Sequence, residues 1–231
     1  MSIKAVIFDM DGLLVDSEVV SYEVWRRLLE SFGIPFSKDF YAENCSGKTS
    51  ANSVGYLTEL FHLAWDPDAV LTEIDELEYD LAGTVELKKG AKEILGYLRA
   101  HRYKTALASS SLERRASVIL DRHGLRPYFD AIVLGSEVEH GKPAPDIFLE
   151  AARRLQEDPK DCLVLEDSEA GIQAAFSGGI PVVCVPDMRR PSPDCARKAV
   201  RVEDSLLDVV GYLEQGYLEQ EDNRISGTRS S

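Results

Sequence analysis

Short apolar runs alternate with segments of helical length over residues 90–185, and no other feature of the chain constrains the fold as strongly. The apolar runs predict strands at Thr105–Ala108, Ala131–Leu134, Cys162–Leu165 and Ile180–Val185. The segments before and between them predict helices at Gly90–His101, Leu112–Arg122, Pro145–Leu155 and Ala170–Ser177. Strands and helices that alternate in this way give parallel strands joined by right-handed crossovers. We therefore predict an α/β fold built on a doubly wound parallel sheet.

The segment between a first predicted strand, Val6–Phe8, and this alternating region has a different pattern of apolar residues. No convincing strand lies between Phe32 and Glu86, and the apolar spacing predicts helices at Ser17–Phe32, Asn52–Leu63 and Pro67–Leu81. Ser17 is placed to cap the first of these helices. We therefore expect residues 17–86 to form a helical block inserted into a core of residues 1–16 and 87–218. The polar segment 219–231 is expected to be a disordered tail.

The charge of the chain limits its partners. It has 40 acidic and 26 basic residues, a formal net charge of −14, which argues against nucleic acid or an anionic membrane as a partner. Its apolar stretches are shorter than the roughly 20 residues that span a bilayer, and the first residues lack the pattern of a signal peptide. Its four cysteines form no C-x-x-C pair, so neither zinc nor disulfides are indicated. We expect a cytoplasmic protein.

Four polar clusters each follow an apolar run of the chain. Asp9 and Asp11 come directly after the first strand, three serines (109–111) follow the strand that ends at Ala108, Lys142 precedes a helix, and Glu166 and Asp167 follow the strand that ends at Leu165. Each cluster alone has an ordinary structural explanation, such as the capping of a helix by serine. Because chemistry gathers at the carboxyl ends of parallel strands, we expect these side chains to converge at one edge of the sheet.

Phosphoryl transfer through a covalent aspartyl phosphate requires these groups. Asp9 is predicted to be the nucleophile. Asp11 is predicted to protonate the departing ester oxygen and then to take a proton from the water that hydrolyses the intermediate. The phosphate would be bound by Ser109, Ser110 and Lys142, together with Met10 and Asp11.

Several carboxylates and a phosphate dianion require a divalent cation. Two like charges 4 Å apart repel by roughly 4 kcal/mol at an effective dielectric constant of about 20. Ligands that are all oxygen, with a phosphate substrate, select Mg²⁺. We predict that Asp9, the backbone carbonyl of Asp11, Glu166 and Asp167 hold this ion, some of them through water.

Four segments together resemble one family, the haloacid dehalogenase-like hydrolases, in the subgroup with a helical cap after the first strand. The segments are D-M-D-G-L-L-V-D-S-E from Asp9, A-S-S-S around Ser109, G-K-P-A-P-D-I-F from Gly141 and L-E-D-S-E-A-G-I from Leu165. The resemblance implies a Rossmann-like core, a mobile cap, Mg²⁺ dependence and a phosphate ester bound between cap and core. Members without the second acid include the dehalogenases, so Asp11 indicates phosphate chemistry.

Two of these segments resemble the β-phosphoglucomutase-like branch, which contains sugar-phosphate mutases and phosphatases. The mutases carry a histidine on the first cap helix where this chain has Ser21. A mutase must protect its phosphoryl-enzyme from water, which requires cap groups that couple closure to proton transfer. We therefore predict a phosphatase for a small phosphorylated metabolite such as a sugar phosphate, with a mutase as the alternative. The protein is expected to function as a monomer.

Substrate contacts are predicted at Ser17, Ser21, Gly47 and Lys48 in the helical block. Gly47 and Lys48 are not part of a nucleotide-binding loop, because that motif would need glycine in place of Ala42.

Two classes of protein without catalytic turnover are alternatives to the enzyme. A response-regulator receiver also combines a phosphorylatable aspartate with acids, a serine and a lysine on an α/β sheet. The acid/base at Asp11 and the inserted block oppose that interpretation. The complete set of expected catalytic side chains opposes a protein that only binds a phosphometabolite.

Overall fold

A computed structural model describes residues 3–215, and within them six parallel strands form one sheet flanked by helices. The strands are β1 Ala5–Phe8, β2 Lys104–Ser109, β3 Ala131–Leu134, β4 Cys162–Glu166, β5 Val182–Cys184 and β6 Arg201–Val202. Their order is β3-β2-β1-β4-β5-β6. The predicted doubly wound sheet is confirmed. The two-residue strand β6 was not predicted, because its length gives no apolar run.

Both faces of the sheet are covered. Ala5 and Ile7 of β1 belong to one apolar cluster, and Val6 and Phe8 belong to the other. All four residues are completely buried, which explains why β1 is a continuous apolar run without alternation.

Helices account for the remaining regular structure. Four form the helical block after β1: α1 Glu18–Ser31, α2 Lys38–Asn44, α3 Ser50–Phe61 and α4 Pro67–Leu81. Five follow: α5 Ala91–Ala100, α6 Glu113–His123, α7 Asp146–Leu155, α8 Glu169–Ser177 and α9 Pro193–Ala196. Residues 206–215 are also helical. None of the helices in the described part of the chain is long and apolar enough to cross a membrane.

The helical block has an apolar cluster of its own, with Trp25, Leu57 and Ile74 buried inside it. The apolar spacing of the sequence did not predict helix α2. Only one of its seven residues, Tyr41, is buried, so its apolar period is weak. The cap predicted at Ser17 is wrong. Ser17 precedes α1, but its side chain accepts no bond from the first turn of the helix.

The chain enters and leaves the helical block through two neighbouring segments. Val15 and Leu87 pair in an antiparallel bridge, and the amide of Asp16 donates to the carbonyl of Glu86 at 2.8 Å. The amide of Lys88 donates to the carbonyl of Leu14 at 2.9 Å. The two crossings, the segments that connect the helical block to the core, therefore run side by side. The first of them begins a few residues after β1 ends. The predicted tail, 219–231, lies outside the described residues.

Candidate active site

The central position of β1 brings the predicted acidic residues together. Strand β1 lies between β2 and β4, and Phe8 is in register with Leu165. The amide of Asp9 then donates to the Leu165 carbonyl at 3.0 Å, so Asp9 lies beside the end of β4, where Glu166 and Asp167 follow. Sequence reasoning placed these groups at one edge of the sheet, and the structure agrees.

Lys142 joins the two strand ends. Its Nζ donates to Oδ1 of Asp9 and, at 2.7 Å, to Oε1 of Glu166. The Lys142 side chain is 7% exposed, and that of Glu166 is 1% exposed. A lysine buried to this extent requires carboxylate partners, and the structure provides two. Their charges outweigh the effect of burial and raise the pKa of Lys142, which therefore stays charged.

Glu166 is fixed on both of its oxygens. While Oε1 binds Lys142, Oε2 accepts bonds from the backbone amide of Ser168 at 2.7 Å and its hydroxyl at 2.9 Å. The space for this side chain exists because position 171 is glycine. A Cβ atom on Gly171 would lie 1.8 Å from Oε1 of Glu166. Residue 171 thus lets Glu166 reach Lys142.

The arrangement of Asp9, Glu166 and Asp167 fits a divalent cation. One oxygen from each carboxylate lies within 4.8 Å of the others. Burial raises the pKa of Asp9 to about 7, with the charge of Lys142 opposing this and that of Glu166 adding to it. Burial, and then the charges of Glu166 and Asp9, also raise the pKa of Asp167 well above its ordinary value. Oxygen ligands that repel each other in this way are suited to Mg²⁺.

Asp11 belongs to a second cluster, around Arg115. Its Oδ1 accepts a bond from Nη1 of Arg115 at 2.8 Å, and its Oδ2 accepts one from the hydroxyl of Ser111 at 2.6 Å. Burial alone would raise the pKa of Asp11, but the charge of Arg115 and bonds from Ser111 and Ser17 outweigh it, and the pKa is lowered. The two acids that the sequence singled out therefore have opposite surroundings.

This second cluster extends into the helical block. Nε of Arg115 lies 3.8 Å from Oε2 of Glu78 on α4. The other oxygen of Glu78 accepts a bond from the hydroxyl of Ser21 on α1 at 2.8 Å. Arg115 therefore lies between a carboxylate of the core and one of the block.

A cavity of about 390 Å³ opens beside these groups. Asp9, Asp11, Lys142 and Asp167 line it from the core, and Ser110 lies at its wall. Two other predicted phosphate-binding residues lie deeper: the Ser109 side chain is 1% exposed, and that of Met10 is in the apolar core. Any contact of Met10 with phosphate would therefore come from its backbone.

The four residues predicted in the helical block divide between two cavities. Gly47 and Lys48 line the cavity of about 390 Å³, and the Lys48 ammonium lies 5.2 Å from the centre of the Tyr56 ring. Ser17 and Ser21 line a neighbouring cavity of about 310 Å³, which Lys48 and Asp11 also border. All four therefore line a cavity that Asp11 also lines.

Four residues at the site were not predicted: Glu18, Glu78, Arg115 and Asp187. Glu18 accepts a bond from the Tyr41 hydroxyl at 2.9 Å, and Asp187 is bonded by Lys88 beside the entry to the helical block. Each is a single charged residue in a polar segment. The sequence carries no signal that distinguishes such a residue from one exposed to solvent.

Comparison with known proteins links this site to a family. The family model of haloacid dehalogenase-like hydrolases matches residues 3–179, well over half of the chain. A phosphorylated carbohydrates phosphatase of Thermotoga maritima is 35% identical over 178 residues, which are 77% of this chain and 82% of the relative. β-Phosphoglucomutase of Bacillus subtilis is also 35% identical, over 192 residues, which are 79% of this chain and 83% of the mutase. Overall identity therefore does not separate a phosphatase from a mutase.

The solved structures agree on the fold. A haloacid dehalogenase-like protein of unknown function from Agrobacterium tumefaciens has a TM-score of 0.82 and 28% identity, over 94% of this chain and 100% of that one. All four sequence segments that carried the resemblance lie within the residues that the family model matches. The chain belongs to the haloacid dehalogenase-like hydrolase family.

Proposed function

We propose that the protein is a Mg²⁺-dependent phosphatase for a small phosphorylated metabolite, and that this metabolite is a sugar phosphate. One observation carries this proposal: Asp9 and Asp11 line the same cavity, one paired with Lys142 and the other with Arg115. Both carboxylates can therefore reach one bound phosphate ester, and each is held by a different cation of the protein. The helical block would act as the cap over the phosphate ester.

In the first step, an oxygen of Asp9 attacks phosphorus and the bond to the ester oxygen breaks. Arg115 and the serines lower the pKa of Asp11, so Asp11 must take up a proton before this step. It gives that proton to the departing alkoxide, so an alcohol leaves and an aspartyl phosphate remains. The ammonium of Lys142, buried and charged, offsets the negative charge of the transferring group, and Ser109 or Ser110 donates to a phosphate oxygen.

In the second step, water attacks the phosphorus of the aspartyl phosphate while Asp11 takes the proton of that water. The acyl phosphate bond breaks, inorganic phosphate leaves, and the carboxylate of Asp9 is restored. Bound Mg²⁺, held by Asp9, Asp167 and the carbonyl of Asp11, would stabilise negative charge on the phosphoryl oxygens. Glu166, with both oxygens already bonded within the protein, would contact the ion through water and hold Lys142 in place.

The contact of Ser21 favours a phosphatase over the mutase alternative. Its hydroxyl donates to Glu78 within the helical block. Ser21 stands where the mutases carry a histidine. Its hydroxyl neither titrates near neutral pH nor shuttles protons to a sugar. Names of relatives agree with either activity, but this contact favours release of the phosphoryl group to water.

The test is phosphate release from a panel of phosphomonoesters, with and without Mg²⁺, for the wild type and Asp9→Asn. We expect Mg²⁺-dependent release that falls by roughly 10⁴-fold or more in the variant, because the nucleophile is lost. Asp161→Asn is the matched control, since Asp161 pairs with Lys4 at the opposite end of the sheet. Isomerised sugar phosphate, seen by phosphorus NMR in place of inorganic phosphate, would establish the mutase instead.

A further inference from the structure

Arg115 occupies an unusual position between two parts of the molecule. It lies in the first turn of α6 and is 6% exposed, although it carries a guanidinium. Nη1 donates to Oδ1 of Asp11 at 2.8 Å and to the hydroxyl of Ser111 at 2.5 Å. On its other side, Nε lies 3.8 Å from Oε2 of Glu78 in the helical block. Its one charge is therefore shared by two carboxylates.

Those carboxylates would repel each other without it. Burial raises the pKa of Glu78 and the charge of Asp11 adds to this rise, which shows that the two carboxylates are close enough to interact. Removal of one member of a buried ionic group leaves the others unpaired, which costs far more than replacing the whole group. Glu18 lies close enough to add its negative charge to the field at Arg115. Without Arg115, Asp11 and Glu78 would repel each other or one would take up a proton, and in either case Asp11 would lose the bond that fixes its position.

We propose that Arg115 is a positioning residue: it fixes the carboxylate of Asp11 relative to Glu78 of the cap, and so places the proton donor beside the leaving group. The proposal rests on the proposed function, because it acts through the acid role of Asp11. The neighbouring cavity, which Asp11, Arg115 and Glu78 all line, is the space that faces this carboxylate from the helical block.

A misplaced Asp11 would affect esters unequally. An aliphatic alcohol departs from phosphorus only with a proton, so its release depends on the position of Asp11. The p-nitrophenolate ion is stable near neutral pH and departs without one. In a two-step mechanism, kcat/KM reports only the steps up to release of the alcohol. The ratio of kcat/KM for the two kinds of ester therefore measures how well Asp11 is placed.

The experiment compares the wild type with Arg115→Met on p-nitrophenyl phosphate and on the best sugar phosphate of the panel. We expect kcat/KM to fall by roughly 10- to 100-fold for the sugar phosphate, a part of the full effect of a general acid. For p-nitrophenyl phosphate we expect a fall of less than about 3-fold, since no proton is needed there. Arg115→Lys should lie between the wild type and the methionine variant for the sugar phosphate.

A second variant tests the charge argument. In Arg115→Met with Glu78→Gln, the repulsion on Asp11 is removed, and part of the lost kcat/KM for the sugar phosphate should return. Retained activity of the single variant toward p-nitrophenyl phosphate shows that it is folded. Arg122→Met is the matched control. Arg122 also lies on α6 and pairs with a carboxylate, that of Glu86 at 2.8 Å, but it lines neither cavity, and both esters should react as with the wild type.

The outcomes separate the two proposals. An equal loss for both esters, or no recovery in the double variant, overturns the role of Arg115 while the phosphatase stands. A wild type that hydrolyses neither ester overturns both, since the positioning role depends on the reaction.

Discussion

The clusters around Asp9 and Asp11 are two residues apart in sequence and are built in different ways. The partners of Asp9, which are Lys142, Glu166 and Asp167, come entirely from the core. Asp11 is held by Arg115, whose second carboxylate belongs to the helical block. Burial dominates at Asp9 and raises its pKa to about 7, while the partners of Asp11 prevail over burial and lower its pKa.

The contrast shows how one turn after β1 supplies two kinds of control. The cluster around Asp9 takes its partners from the core alone, so a displacement of the helical block would leave its geometry in place. The cluster around Asp11 includes Glu78 of the block, so the same displacement would change it. In the proposed reaction the phosphoryl group would thus be held by fixed groups, while delivery of the proton would depend on closure.

Replacement of Lys142 should give the largest further effect and tests whether the core cluster is essential. In Lys142→Met, kcat should fall by roughly 10²- to 10³-fold, because the transferring group loses a preorganised positive charge. The variant also leaves Asp9 and Glu166 unpaired, so the free energy of unfolding should fall by about 3 to 5 kcal/mol. Steady-state kinetics and urea unfolding measure the two effects. Lys160→Met, at an exposed surface pair, should change neither, and a fully active Lys142→Met would break the comparison.

Replacement of Gly171 tests the comparison of the two clusters more finely, because this glycine affects the position of Glu166 in the core cluster without contacting substrate. In Gly171→Ala the new Cβ must displace Glu166 and, with it, Lys142. We expect kcat to fall by roughly 10-fold, as a small misplacement of catalytic groups has large effects. Gly96→Ala is the control in α5, where nothing lies within 4 Å of the new atom. That variant should keep full activity and gain up to about 1 kcal/mol of stability. Equal behaviour of the two variants would contradict the role given to Gly171.

Replacement of Lys48 should give the smallest effect and examines the cap side. In Lys48→Ala we expect KM to rise about 3-fold with kcat unchanged, because the ammonium would contribute to ground-state and transition-state binding alike. Kinetics on the sugar phosphate test this, with exposed Lys92→Ala of α5 as the control. A fall in kcat alone would show that Lys48 acts in the chemistry instead.

The same contrast explains what the sequence could predict. Asp9, Lys142, Glu166 and Asp167 were found because strand ends in a parallel sheet meet at one edge, so local patterns fix their position. Arg115 and Glu78 were missed because their burial depends on the packing of α6 against α4. In sequence, Arg115 is indistinguishable from exposed Arg114. Ser21, predicted as a substrate contact, lines a cavity together with Asp11, but its bond to Glu78 could not be inferred from either helix alone.

The paired crossings at Val15 and Leu87 make the helical block an exchangeable module. Segments that leave and return side by side let a domain be inserted with little change in the host. The block also has its own apolar interior around Trp25 and Ile74. Val20 and Ala82 pack with the sheet and would have to stay with the core in any graft. The segment between Val20 and Ala82 could therefore be replaced while the catalytic sheet stays unchanged.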